Sequence, residues 1–354
     1  MVVASVAIAQ ATTGGAYAIS LALIIAVIYL AVVRFMDLNE KEPLWAVGLM
    51  FFLGAIVAAI LLMVSSPALE LSVLWESVAE EVAKFAAFGL GAVALAGVAR
   101  SRGWSEINDL MDGIVYGATV GLGFATGEAF VRELFFGATL SGPIGGGPLA
   151  TLWTTALSGL SEGLFGAIIG AGFGAAVGAR SAAQRVGYPI AGLIGAIIVH
   201  ALYLVLAEGN AFGGSAALVR TWVALVIPLV LVVGVVVFAL VRERRIIREE
   251  LGSESQSGAV TADELRVLQS FAARRSIYAG RLLRGDFDGW LAARDLHNRQ
   301  VQLALAKHRA AGETDAANRA ASEAEVERLR ASVLWMKRNP QLGAQPPSSA
   351  EGSA

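Results

Sequence analysis

Residues 76–85 read ESVAEEVAKF, which sets two adjacent carboxylates, Glu80 and Glu81, and an ammonium, Lys84, inside an apolar run. LSVLW comes before the motif and AAFGLGAVALA after it, surroundings that suit a membrane span. A carboxylate in hydrocarbon costs about 2.5–3.5 kcal/mol on insertion scales, so two side by side need a reason. On a helix Glu80 and Lys84 stand one turn apart, in the orientation favoured for an ion pair. Glu81 lies about 100° further round and needs another donor, a proton or a metal. Other apolar runs carry company for it: Glu128 in GLGFATGEAF, Glu162 in SGLSEGLFGAIIG and His200 in IIVHALYLVL. A glutamate can activate water against a peptide carbonyl while a histidine serves the oxyanion or the leaving amine. Alternatively Glu and His ligate a metal that acidifies bound water. No HExxH occurs, so any metal site must be assembled from separate helices. A third use of the same residues is a proton or cation path in a transporter.

These residues need helices to hold them, and the composition supplies apolar ones. The chain is 56% hydrophobic and 16% charged, with a mean hydropathy of +0.64. Eighteen of its 27 Lys and Arg residues lie from Arg242 onward, dividing a membrane body from a charged tail. A net charge of −2 gives no electrostatic footprint for nucleic acid. The absence of cysteine excludes disulfides, thiolate nucleophiles and Cys-based metal sites. Seven segments approach the roughly 20 apolar residues of a span: about 16–33, 44–64, 71–99, 112–131, 150–178, 188–207 and 221–241. The first fifteen residues lack a basic signal region and read as a short translocated leader. Ten Lys or Arg residues flank one set of span ends, including Arg34, Arg100, Arg185 and Arg242, whereas the other set has Arg132 and Arg220. That bias puts the N-terminus outside and the C-terminus in the cytoplasm of a cell-membrane protein.

With this topology Glu80, Glu81, Glu128 and His200 fall at similar depth in the outer half of the bilayer, on three different spans. Their co-depth predicts one shared site. Glu162, near mid-depth, is either a fifth member or a glutamate facing a polar cavity. Asp112 is expected to cap the fourth span at the cytoplasmic face. The glycines at 117, 121, 123 and 127 predict tight packing of that span.

The tail alternates charged and apolar residues. Residues 261–282 predict a helix opened by Thr261 and Glu264 in a capping-box pattern. Two further helices are expected over about 286–311 and 314–338. They make a small helical unit over 242–340, available as a docking module for a cytoplasmic partner. Residues 341–354 are expected to be disordered. The fold class expected is all-α: a polytopic bundle of about seven transmembrane helices, residues 1–241, followed by a cytoplasmic helical tail.

EEVAK (80–84), DGIVYGATVGLGFATGE (112–128) and HALY (200–203) together resemble the PrsW family of intramembrane proteases, distantly related to the CAAX-protease group. The resemblance covers about 70–207 and leaves out the tail. It implies hydrolysis of a peptide bond in a membrane-associated protein, such as an anti-sigma factor. By position it implies Glu80 and Glu81 as the catalytic pair, Glu128 and His200 completing the site, and Lys84 holding a glutamate in place. The sequence departs from the family at two points: Glu162 stands where members usually have His, and Leu204 where many have Asp or Asn. The residues leave open whether a divalent metal such as zinc takes part. An inactive pseudo-protease scaffold and a transporter are the alternative readings.

Overall fold

The computed structural model describes residues 2–36, 42–64, 73–102, 107–136, 148–179, 181–208, 215–255, 257–313 and 316–339. All regular elements among the described residues are helical. The first seven are α1 (Val2–Met36), α2 (Leu44–Val64), α3 (Val73–Arg102), α4 (Leu110–Phe136), α5 (Pro148–Val177), α6 (Ala182–Glu208) and α7 (Ser215–Leu251). Six of these, α2 to α7, are long and apolar enough to cross a membrane, and α1 adds a shorter apolar stretch, Ile19–Phe35. α1 also takes in the residues read from sequence as a leader. Each helix satisfies its backbone internally, the condition for a segment in lipid. The described residues form two compact units, one running to Val237 and one beginning at Phe238.

In the first unit α4 is the inner helix, buried at every residue from Leu110 to Ala125. It packs on α1, α2, α3 and α5. Its glycines allow this, as the sequence led us to expect. A methyl group on Gly117 would run into the Gly166 carbonyl of α5, and one on Gly121 into the carbonyl of Glu162. On the opposite face Gly123 meets the Phe51 carbonyl of α2. The contact is therefore backbone on backbone. α2 returns a narrow stripe of Ala46, Met50, Gly54 and Ala58, while Phe52, Ile56, Ile60 and Met63 point outward, as suits lipid.

The start of α4 corrects one expectation. Asp109, not Asp112, is the cap: its Oδ1 accepts from the backbone N–H of Met111 at 2.7 Å and of Asp112 at 3.0 Å. Asp112 lies within the first turn, buried, and accepts from the Asn108 N–H at 2.6 Å. Asp109 thus takes two orphan donors of the helix end, and Asp112 reaches back to the residue before the cap.

The second unit contains the end of α7, then α8 (Ala262–Leu268), α9 (Phe271–Leu283), α10 (Phe287–Gly312) and α11 (Ala316–Arg338). Thr261 and Glu264 form the capping box anticipated for α8. The single helix expected over 261–282 is instead two. Ser270 opens α9 by accepting from the Ala273 N–H at 3.2 Å, a local bond that competes with continuing the helix. Ile246, Ile247 and Leu251 pack with Val301, Leu305 and Val333 in the core. Glu254 is buried among cations, accepting from Lys307 Nζ at 2.7 Å and Arg330 Nη2 at 2.8 Å. Residues 341–354, expected to be disordered, lie outside the described residues.

Candidate active site

α3 buries one stripe along its length: Ser77, Glu81, Lys84, Phe88, Gly91 and Leu95. The three-and-four spacing is that of a helix face turned inward. Glu81 and Lys84 are both on it and fully buried, whereas Glu80 stands at its edge with a side chain 12% exposed. The closer ion pair is consequently Glu81–Lys84, at 2.6 Å, not the Glu80–Lys84 pair read from sequence, which spans 3.8 Å. Position on the buried stripe outweighs the preferred i,i+4 spacing.

Lys84 reaches past its own helix. Its ammonium also contacts Glu162 of α5 and lies 4.5 Å from the centre of the Phe124 ring on α4. α5 brings Glu162 here because Gly121 admits its backbone directly against α4. α6 brings His200, whose Nδ1 is 2.7 Å from Glu81 Oε1. A neutral ring that donates from Nδ1 to Glu81 keeps Nε2 as its lone-pair nitrogen. Nε2 lies 4.0 Å from Glu162 Oε1. Phe165, one turn beyond Glu162, stacks on the imidazole with centroids 4.4 Å apart and 19° between planes.

Four helices thus converge on one cluster. Glu80, Glu81 and His200 come together as the co-depth argument anticipated, with Lys84 at the centre and Glu162 a full member. Glu128 is not in that contact group; Arg132, one turn along α4, holds its Oε1 at 2.6 Å from Nη2. Phe124 and Phe165 escaped the sequence reading. The signal available was their spacing, each three residues after a packing-critical position, Gly121 and Glu162.

The charge balance limits the chemistry. Three ionised carboxylates against one ammonium leave two negative charges in a buried place, which must be met by protons or by a divalent cation. Glu80, Glu162 and His200 each offer a ligand atom, all within 4.8 Å of one another. Two carboxylate oxygens and an imidazole nitrogen are a donor set that zinc accepts. Glu81 on the far ring nitrogen is the orienting partner that metal-binding histidines usually have. The residues fit a divalent metal.

No curated protein and no solved structure matches the chain. A family model, that of the PrsW family intramembrane metalloproteases, matches residues 42–241, more than half of the chain and all of α2 to α6. The motif order, the apolar helices and the carboxylate–histidine cluster at their centre agree with that match, and this chain belongs to the PrsW family of intramembrane proteases.

Proposed function

We propose that this protein hydrolyses a peptide bond of a membrane-associated protein, near the outer face of the membrane, with Glu81 as the base that activates water. The observation that carries this reading is the second carboxylate oxygen of Glu81: Oε2 is buried, has no hydrogen-bond partner among the described residues, and belongs to a residue in contact with both Lys84 and His200. A buried acceptor without a donor is a place for a water O–H.

In this reading Glu81 divides its work between two oxygens. Oε1 keeps the His200 ring oriented, and Oε2 takes a proton from the attacking water and returns it to the departing amine. Lys84 holds Glu162 and Glu81 in place and offsets part of their charge. Glu80, Glu162 and His200 would hold a divalent metal such as zinc, which when bound polarises the scissile carbonyl and acidifies water. The orientation follows the positive flanks: N-terminus outside, C-terminus in the cytoplasm. The helical unit from Phe238 would then be available to a cytoplasmic partner. A membrane-tethered regulator of the anti-sigma class is the first substrate to try.

The test uses the purified full chain in lipid nanodiscs with such a tethered substrate. Glu81→Gln and His200→Ala should each abolish cleavage while the protein stays folded. Undiminished cleavage by either variant overturns the assignment. Binding of the substrate without cleavage by the unaltered chain would favour a pseudo-protease.

A further inference from the structure

In the second unit, α9 wears its apolar residues on the outside. Its exposed stripe runs through Phe271, Ala272, Ser276, Ala279, Leu282 and Leu283, at the three-and-four spacing of one helix face. The buried position on this helix belongs instead to an arginine, Arg274. A helix facing water would turn its leucines inward and its arginines outward. Past the turn at Gly285, α10 continues the apolar surface with Phe287 and, one turn on, Leu291. Leu283 is 88% exposed and Phe287 62%. The two helices therefore end in a hairpin tip of large uncovered apolar side chains.

The charge around this surface says what covers it. Residues 271–284 hold four arginines and no carboxylate. Arg275 lies over the exposed Phe271 ring, 5.0 Å from its centre, and Arg284 is exposed at the tip. Of the two acids that follow, Asp286 is engaged within the hairpin: it accepts from Arg281 Nη1 at 2.9 Å and from the Gly289 N–H at 2.9 Å. Asp288 is the other, so residues 271–288 carry four positive charges against two negative. Apolar side chains bordered by arginine suit the headgroup boundary of an anionic bilayer. Such a bilayer is close by. Val241 ends the exposed apolar run of α7, and Ile246, five residues and about 8 Å further along the same helix, is already in the tail core. Between them stands Glu243, whose charge acts on the buried Arg274 of α9. No free linker separates α9 from the point where α7 leaves its apolar run.

We propose that the α9–α10 hairpin is a docking surface for the anionic bilayer that α7 spans, with Leu282, Leu283 and Phe287 entering the acyl edge and Arg275 and Arg284 binding lipid phosphates. The inference rests on α7 being a span and is independent of the protease assignment.

The chain has no cysteine, so a single introduced one can carry a dye. Ala279→Cys reports on the outward face of α9, and Glu323→Cys, exposed on α11, is the reference. Each is labelled with an environment-sensitive dye in the full chain, in nanodiscs whose lipids bear a doxyl quencher just below the headgroup. With phosphatidylglycerol present, the dye at 279 should be quenched and blue-shifted, and the dye at 323 should not. In phosphatidylcholine alone, or at high salt, the quenching at 279 should fall. Arg275→Gln and Arg284→Gln should each lower the ratio of docked to undocked hairpin about fivefold in phosphatidylglycerol. Leu283→Ser combined with Phe287→Ser should abolish docking and leave the unfolding temperature unchanged, since both side chains are exposed. Equal quenching at 279 and 323, or quenching at 279 that ignores phosphatidylglycerol, would overturn the proposal. Quenching at neither site would leave the face to a protein partner, and disulfide cross-linking between Ala279→Cys chains without quenching would assign it to a second copy. Either result overturns the bilayer as occupant.

Discussion

His200 and Glu81, 119 residues apart in the chain, share a hydrogen bond of 2.7 Å in the buried centre of the helix bundle. The bond fixes the imidazole by one nitrogen and leaves the other for chemistry. It ties α6 to α3 at the point where both carry an otherwise costly polar group. Each residue explains the burial of the other.

Glu81→Gln is expected to lower the cleavage rate by about 10²–10⁴-fold, the usual contribution of a general base. It should also weaken metal binding by about 10–100-fold, because the His200 ring loses its orienting carboxylate. Single-turnover cleavage and a competition titration against a zinc indicator measure the two effects. A variant that cleaves at full rate, or binds metal undisturbed, contradicts the role.

Chelation should abolish cleavage, and one divalent ion should restore it. Elemental analysis of the active protein should find about one bound ion per chain, in keeping with one three-residue donor set. His200→Ala should reduce that content. Glu162→His should keep the fold and move the preference toward softer ions, since an imidazole replaces a hard carboxylate.

Removing the ammonium should harm the fold more than removing one carboxylate. Lys84→Met leaves Glu81 and Glu162 buried without their shared cation, and the expected loss is about 3–5 kcal/mol. Thermal unfolding in detergent provides the measurement. Lys84→Met combined with Glu162→Gln should recover part of the loss, and no recovery would mean that the two do not form a working pair.

In the tail, burial pushes the His297 imidazole down to about 4, and its Nδ1 lies 2.9 Å from the Tyr278 hydroxyl. The unfolded chain takes up the proton near pH 6.5 and the folded one only near 4, so stability falls as pH drops through that window. The loss by pH 4 should be roughly 2–3 kcal/mol. Glu264, its carboxyl lowered despite burial by the Thr261 backbone N–H and Lys337, loses its contribution in the same direction but below about pH 4.5. The protection factors of the α10 amides in the full chain, exchange rates corrected for the intrinsic pH dependence, should fall between pH 7 and 5, and His297→Gln should flatten that response.

The sequence showed the helices and most of the cluster for one reason: charges in apolar runs are expensive, so they mark themselves. Glu80, Glu81, Lys84 and His200 were all legible on that basis. Which of the two glutamates meets Lys84 was not. The answer depends on which stripe of α3 faces inward, and that is decided by packing partners on other helices. The role of Glu162 was equally hidden, because its partner Lys84 lies 78 residues earlier and the approach of α5 depends on Gly121. Glu128 shows the opposite case. Depth and motif order both placed it with the cluster, and its direct ion-pair partner, Arg132, stands four residues on in the sequence itself.

The close seat of Gly121 against the Glu162 carbonyl has a consequence for how such a site can diverge. The backbone at residue 162 is seated by main chain meeting main chain, before its side chain makes any contact. Whatever amino acid stands there is delivered to the same spot opposite Lys84 and His200. Address and chemistry are therefore specified by different residues. An imidazole and a carboxylate can stand in for one another at this address without moving the scaffold that presents them.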